Sequence, residues 1–184
     1  MKRPTILAAA IFALTLTAAA QTDAMPPEQN APAKPHSHPM GAPSTSLTIN
    51  TGIGQPLTLT LADLKALPQQ TLTVHNMHAK EGETYSGPLL SDVLAKAGIV
   101  LTEKTEHPML HQYLIATGTD KYWVLYSLAE VIPGLHKARV IVAIARSGEP
   151  LTTTGQFELI NDLDVKPARW VHNVTSITLH TPAE

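Results

Sequence analysis

Residues 85–98 read YSGPLLSDVLAKAG, and this stretch carries the strongest indication of the fold. Residues 91–97 are mostly helix formers, and Gly98 follows them in the position where a glycine commonly ends a helix. Leu90 and Leu94 are four residues apart, so they share one face of the predicted helix and are expected to be buried. A short amphipathic helix therefore lies at the centre of the predicted domain.

Three other residues are predicted to be structural. Tyr85 is expected to lean over the buried face of that helix. Gly87 is expected to permit a close backbone approach where the helix begins, because it has no Cβ. Trp170 is large and has few aromatic companions, since the whole chain holds only 4% aromatic residues. We therefore predict that Trp170 is an anchor of the hydrophobic core.

The segment before this helix predicts a hairpin, a capped helix and a strand. Residues 47–49 and 57–59 alternate apolar and polar side chains around a glycine-rich turn, which is typical of a β-hairpin. Thr60 and Asp63 have the spacing of a capping box at the start of a short helix. Residues 71–74 read TLTV, which favours a strand because of its β-branched residues.

The segment after the helix is richer in strands. Residues 113–116 and 122–126 predict a second hairpin, and residues 127–130 repeat the capping-box spacing. The continuous apolar run in 139–145 predicts a buried strand, and the alternation in 171–179 predicts the last one. Strands outnumber short helices, so we predict an α+β domain with one mixed or antiparallel sheet, and not a doubly wound nucleotide fold.

The N-terminal region is predicted to be a targeting segment followed by a linker. Residues 1–20 combine two cations, an apolar stretch and small residues, which is typical of a secretory signal peptide. The chain is therefore expected to be periplasmic or secreted, without a membrane span after cleavage. Residues 21–46 predict a disordered linker rich in Pro and Ala, and 47–184 the folded domain. His36 and His38 in the linker are either a weak copper-binding cluster or a solvated tail.

Composition excludes several classes of function. The 184 residues include no cysteine, which excludes disulfides, zinc–thiolate sites and cysteine nucleophiles. The formal net charge is only −2, so we expect no nucleic-acid partner. Partners are limited to a small ligand or another protein of the same compartment, and neither can be identified from the sequence.

The densest cluster of metal-capable residues in the folded region is HNMH at 75–78. His75 and His78 leave the end of a predicted strand three residues apart, and they are the candidate metal ligands. The alternative interpretation is a polar loop, because no third ligand is nearby and His107 and His111 belong to a separate segment.

Acidic and histidine residues near the C-terminus form a second candidate group. Glu158, Asp162 and Asp164 could offer carboxylates to a hard cation, but the framing of a calcium loop is absent. A solvated acidic turn is therefore the preferred interpretation. His172 and His180 alternate with apolar residues in the predicted last strand, so both are expected to face solvent.

The order of these motifs resembles the oxidoreductase molybdopterin-binding domain family, which has the sulfite-oxidase fold, in its short secreted bacterial form. The resemblance covers residues 47–180. LTLADLKALP at 59–68 looks like the opening helix of the family, and 85–98 is similar to its W-x-G-V-x-L-x-D-V-L-x-x-A-G motif. The remaining similar pieces, in order along the chain, are TLTV, GTDKY, YSLAE, SGEPL and ARWV.

The resemblance also implies where a molybdenum cofactor would lie. Family enzymes carry a cysteine that binds molybdenum just after the strand matched by TLTV, and this place falls at His75 or Asn76. The family reads G-P-L-R-L-V-V-P where residues 155–162 read GQFELIND, so Glu158 replaces an arginine. The resemblance makes Arg169 an anion contact, whereas the structural alternative pairs it with an acid such as Asp162 or Asp164.

Three functions follow as hypotheses. The preferred one is a non-catalytic or cofactor-poor binding module with this fold, because the cysteine is missing and Glu158 reverses a charge. The second is a periplasmic molybdopterin-dependent oxidoreductase with a non-cysteine ligand such as His75. The third is a small metal-binding protein that uses His75, His78 and the linker histidines. The sequence leaves open whether the chain is an enzyme and whether molybdopterin or any other cofactor binds, with the balance against catalysis.

Overall fold

The computed structural model describes residues 41–75, 82–100, 102, 104–153 and 155–183, which lie in one compact unit spanning 37–184. The predicted signal peptide at 1–20 and residues 21–40 of the predicted linker lie outside the described residues. Among the residues that are described, no helix is both long enough and apolar enough to cross a bilayer.

The larger sheet brings together strands from both ends of the domain. Its five strands run in the order β2-β1-β11-β5-β6. The two ends of the domain meet where β1 pairs with β11 in parallel, and the other pairings are antiparallel. The bounds are β1 Ser46–Asn50, β2 Leu57–Thr60, β5 Tyr113–Gly118, β6 Trp123–Ser127 and β11 Val174–His180.

Two smaller antiparallel sheets complete the strands. One has the order β3-β4-β8-β9, and the other pairs β10 with β7. The bounds are β3 Gln69–Val74, β4 Glu83–Pro88, β7 Val140–Ala143, β8 Ala145–Arg146, β9 Glu149–Pro150 and β10 Glu158–Asn161. Strands in mixed and antiparallel sheets are thus the main regular secondary structure of the described residues, which confirms the predicted fold class, although the strands divide into three sheets.

The described helices are short. They are α1 Leu61–Lys65, α2 Leu90–Lys96, α3 Glu106–Met109, α4 Leu128–Val131 and a 3₁₀ turn Pro167–Arg169. The capping box of α1 is present, with Asp63 accepting from the backbone N–H of Thr60 at 2.9 Å. Gly98 has φ +89° just after α2, as predicted for a helix end. The second predicted capping box is wrong, because the Ser127 side chain makes no hydrogen bond to α4.

Strands β7 and β10 separate two hydrophobic clusters, because their side chains point alternately to opposite faces and both faces are buried. The first cluster contains Leu90 and Leu94 of α2 and most of the larger sheet. We name the second cluster the aromatic core. It consists of Leu72, Val74, Tyr85, Ile141, Ala143, Leu151, Ile160 and Trp170.

Two predictions around α2 have different outcomes. Gly87 does permit a close approach, since a Cβ there would lie 2.0 Å from the carbonyl oxygen of Val142. Tyr85 does not lean over the face of α2. Its ring lies in the aromatic core, edge-on to Trp170 at 5.6 Å between centroids, because alternation along β4 directs it to the opposite side. Trp170 is 4% exposed, as expected for a core anchor.

The last strand begins later than predicted. Asn173 has φ +51°, which is outside the range of a strand, and β11 starts at Val174. The Asn173 side chain is buried and accepts a hydrogen bond from the backbone N–H of Ser44 at 2.9 Å. This turn fixes the start of the described chain against the end of the domain.

Candidate functional site

A buried acid lies at the edge of the aromatic core. Glu158 in β10 is fully buried, and Oε1 of its carboxylate lies 2.6 Å from Nδ1 of His172. Neither carboxylate oxygen has a partner with hydrogen-bond geometry among the described residues, so the pairing with His172 rests on this short contact of Oε1, and Oε2 has no partner of either kind. The His172 side chain is 56% exposed, so this imidazole connects a carboxylate inside the protein with solvent. The sequence interpretation of Glu158 as part of a solvated acidic turn is wrong, because β10 is buried on both faces.

The backbone explains why these two residues meet. Leu159 in β10 and Val171 form an isolated antiparallel bridge, with hydrogen bonds of 2.9 and 3.2 Å in the two directions. Alternation on either side of this bridge places Glu158 next to His172 and directs Trp170 into the aromatic core. The indole N–H of Trp170 is buried and lacks an acceptor within the described part of the chain. Buried polar groups are rarely left unpaired, so the Glu158 carboxylate and the Trp170 indole N–H make this place a candidate binding site.

The electrostatics of the pair favour a protonated imidazole. The short contact with the Glu158 carboxylate is the largest influence, and it raises the pKa of His172 above its usual value. Burial and the charge of Arg146 oppose this rise, and the charge of Asp120 supports it. A carboxylate on one ring nitrogen also fixes the orientation of the imidazole and leaves the second nitrogen available to a ligand or to water.

A small cleft opens in front of His172. Its volume is about 240 Å³, and it is lined by Asp120, Tyr122, Pro167, Trp170 and His172. One oxygen of the Asp120 carboxylate accepts from the backbone N–H of Tyr122 at 2.9 Å. The Tyr122 hydroxyl donates to the carbonyl oxygen of Ala168, which ties the β5–β6 turn to the 3₁₀ turn. The cleft therefore has a fixed wall of two aromatic rings, one carboxylate and one imidazole.

A second group of charged side chains surrounds the hydroxyl of Tyr85. The Tyr85 hydroxyl donates to Oε2 of Glu83 at 2.9 Å, and Arg146 lies beside the same hydroxyl. Burial, followed by the charge of Glu158, raises the pKa of Tyr85 well above its usual value. Tyr85 therefore stays a neutral hydrogen-bond donor at any physiological pH.

Arg169 has partners inside the protein. Its guanidinium donates to both oxygens of Glu130, at 2.8 and 3.2 Å, and to Oδ1 of Asp164. It also lies 4.7 Å from the ring centroid of Tyr126. Pairing with an acid was the structural alternative for this residue, and the structure adds Glu130, which no sequence pattern indicated as a partner. Asp162 pairs instead with Arg139, at 2.7 Å. The predicted contact of Arg169 with an anionic ligand stays a prediction.

The other predicted site residues do not converge within the described chain. His75 is exposed and directly follows β3, where the family resemblance places a metal-binding residue. Asn76 and His78 lie outside the described residues, so their predicted roles stay predictions. Across the described ranges, no group of three or more histidine, aspartate and glutamate residues has the arrangement of a metal site.

Comparison with known proteins now identifies the class of protein. Residues 35–155 match the sequence profile of the family described as "Oxidoreductase molybdopterin binding domain", and the chain belongs to this family. Its fold resembles the sulfane dehydrogenase SoxCD from Paracoccus pantotrophus, with a TM-score of 0.58 and 20% identity. That match covers 75% of this chain and 38% of the SoxCD chain, so this chain spans well under half the length of that structure. No curated protein matches significantly.

The site chemistry departs from what a molybdenum–pterin group needs. A thiolate ligand is impossible in a chain without cysteine. The buried carboxylate of Glu158 occupies the β10 position where the family resemblance expects an arginine, and a carboxylate repels a phosphate. The guanidinium of Arg169 is already matched by two carboxylates. These described residues do not fit an anionic pterin cofactor.

Proposed function

We propose that this protein is an exported, non-catalytic binding module that retains the sulfite-oxidase fold and holds a small ligand in the cleft beside His172. One observation carries the proposal: Glu158 is fully buried, contacts His172, and leaves one carboxylate oxygen without a partner among the described residues. Buried carboxylates are costly unless they are paired, so their retention at a cleft points to a ligand.

The charges at the cleft favour a ligand that carries a hydrogen-bond donor or a positive charge. Asp120 and Glu158 contribute two carboxylates near His172, and both raise the pKa of the imidazole. Even with His172 protonated, these three groups together carry a net negative charge, and the nearby cation Arg146 does not line the cleft. Asp120 is the carboxylate in the lining, so it would repel a phosphate or sulfate that enters the cleft and would attract an amine.

The shape of the cleft limits the size of the ligand. A volume of about 240 Å³ is below the usual range for drug-sized ligands, so a compact molecule is expected. Tyr122 and Trp170 line the same cleft. Aromatic rings attract organic cations through their negative faces, which supports a small amine as the ligand class.

Metal analysis tests the first half of the proposal. The full chain is to be isolated from a host that makes molybdenum cofactor, and its molybdenum content and pterin fluorescence are to be measured. We expect neither molybdenum nor pterin. Stoichiometric molybdenum would overturn the proposal in favour of the oxidoreductase hypothesis, and loss of that molybdenum in His75→Ala would then identify the ligand.

Ligand titration tests the second half. The melting temperature is to be followed with small primary and quaternary amines and, separately, with phosphate and sulfate. We expect amines to raise it and anions to leave it unchanged. Glu158→Gln should abolish the rise, whereas the matched control Glu106→Gln removes the same charge on α3 and should retain it. A rise with phosphate only would contradict the proposed ligand class.

A further inference from the structure

Two exposed histidines, His107 and His111, lie next to each other at α3, in a segment distant in sequence from His172. His107 in α3 and His111, one helical turn later, have ring centroids 5.3 Å apart, with 44° between the ring planes. Both side chains are exposed. Residues four apart on a helical turn lie on the same face, so both imidazoles are directed to the same side of the segment.

The backbone of this corner is held at both ends. Before α3, the Thr105 hydroxyl donates to the carbonyl oxygen of Val100 at 2.7 Å, and Met109 within α3 is buried. After α3, the carbonyl oxygen of Gln112 accepts from the backbone N–H of Leu128 at 2.9 Å. The amide nitrogen of the Gln112 side chain donates to the Thr181 hydroxyl at 3.0 Å. The two imidazoles are therefore carried by a fixed backbone, which reduces the entropy that a shared ligand must overcome.

An open cavity borders the pair. It has a volume of about 580 Å³ and is lined by His107, Pro108, His111, Gln112, Thr181, Pro182 and Ala183. None of these lining residues is acidic, so an ion bound there would be held mainly through imidazole nitrogen. Nitrogen donors select the later first-row metals over calcium and magnesium, and Cu²⁺ binds most tightly in that series.

We propose that His107 and His111 form a two-imidazole chelating site for Cu²⁺, with weaker binding of Ni²⁺ and Zn²⁺. The site leaves further coordination positions to solvent or to an incoming ligand, so the metal is exchangeable. It is separate from the cleft at His172 and does not depend on the function proposed above. His107 and His111 lie in a segment separate from His75 and His78, and the turn that follows α3 brings their two rings together.

Titration of the full chain with Cu²⁺ alone tests the site. Isothermal titration calorimetry is to compare the wild type with His107→Ala, His111→Ala and the double variant. Loss of either imidazole removes chelation, so each single variant should bind about 10²-fold more weakly, because the second contact is no longer intramolecular. The double variant should lose little more than a single one. Unchanged affinity in both single variants overturns the proposal.

Control variants separate this site from other histidines. His136→Ala removes an exposed imidazole that accepts from the backbone N–H of Ala138, and it should leave the tightest binding unchanged. His36→Ala combined with His38→Ala removes the linker histidines and should also leave it unchanged. Loss of the tight site in the linker variant would assign it to the linker and overturn the proposal.

Spectroscopy keeps the test valid if an alanine variant is unstable. Electron paramagnetic resonance of the Cu²⁺ complex should show two imidazole nitrogens in the wild type. His107→Asn and His111→Asn retain a polar side chain of similar size, and each should show one nitrogen. Two nitrogens in both asparagine variants would overturn the assignment.

Discussion

The two faces of the β7–β10 strand pair have different chemistry. On one face, Val140, Val142 and Leu159 pack into a cluster made only of apolar side chains and the Tyr126 ring. On the other face, Ile141, Ala143 and Ile160 pack into the aromatic core, which is bordered by the buried Glu158 carboxylate. The first face holds the domain together through burial of apolar surface. The second face is also bordered by a buried carboxylate, and it adjoins the cleft in front of His172.

Charged groups that border the two faces fall into two kinds. Arg169 lies beside Tyr126 of the first cluster and pairs with Glu130 and Asp164, so each carboxylate there has a cation partner within the protein, although Oδ2 of Asp164 has no hydrogen-bond partner among the described residues. Glu158 has a partly exposed partner on one oxygen and no described partner on the other. A carboxylate that is paired with a cation inside the protein is expected to stabilise the fold, whereas a buried carboxylate whose partner reaches solvent is a candidate for ligand binding. Arg169 and its two acids belong to the first kind, and Glu158 is proposed to belong to the second.

The largest effect is expected on the apolar face. Leu94 is fully buried in the first cluster, so Leu94→Ala should reduce the free energy of unfolding by about 2–5 kcal/mol. Chemical denaturation measures this change. Leu110→Ala is the matched control, because Leu110 is 52% exposed and should change stability by less than about 0.5 kcal/mol. A similarly small change for Leu94→Ala would mean that the apolar face does not carry the stability.

Arg169→Ala should have the next largest effect. The substitution leaves Glu130 and Asp164 without their cation, and the Asp164 side chain is only 8% exposed. We expect a loss of about 1–3 kcal/mol, less than for a fully buried pair, because Arg169 is 38% exposed. Arg139→Ala, which breaks a more exposed pair with Asp162, should cost about 0–1 kcal/mol. An unchanged melting temperature together with weaker anion binding would instead make Arg169 a ligand contact.

Glu158→Leu should behave differently from Arg169→Ala. Leucine has a similar volume and removes a buried charge, and the exposed His172 can be solvated. The free energy of unfolding should therefore change by no more than about 1 kcal/mol or should increase. Thermal and chemical denaturation measure the change, and the wild type and the variant should have the same m-value if only stability differs. A clear loss comparable to that of Leu94→Ala would show that the carboxylate is satisfied in the folded state, and the two kinds of polar cluster would not differ.

The smallest effect is a dependence of stability on pH. The short contact with the Glu158 carboxylate raises the pKa of His172 in the folded protein. Its stabilising contribution is therefore fully present below the unfolded value of about 6.5 and is lost as pH rises through the higher folded pKa. The difference in stability between the wild type and His172→Gln should shrink over that window. A difference that is constant between about pH 5 and pH 9 would contradict the pairing.

Asp63 provides an internal control for that experiment. Hydrogen bonds from Thr60 lower the pKa of Asp63 below its usual value of 3.8. Its contribution is present above that value and is lost as pH falls through the lower folded pKa, which is the opposite direction. Asp63→Asn should consequently change how the free energy of unfolding depends on pH in the acid range. It should leave unchanged the dependence at higher pH that comes from His172.

The sequence alone determined the local elements and, through the order of its motifs, the family. The capping box of Thr60 and Asp63, the helix end at Gly98 and the hairpins at both ends of the larger sheet depend on neighbouring residues, so short-range patterns predict them. Burial of Trp170 was predictable from its size. The division of the other strands into two smaller sheets, β3-β4-β8-β9 and β10-β7, was not predictable from the sequence. Strands such as β4 and β8 that pair in these sheets lie far apart along the chain.

Only the tertiary structure decided which polar residues form a site. Glu158 looked like part of an acidic turn, because the alternation that marks a strand disappears when both of its faces are buried. His172 looked like a solvated strand residue, and only the bridge between Leu159 and Val171 places it against that carboxylate. The partner of a charge is set by contacts between distant segments, and a single sequence does not record those contacts.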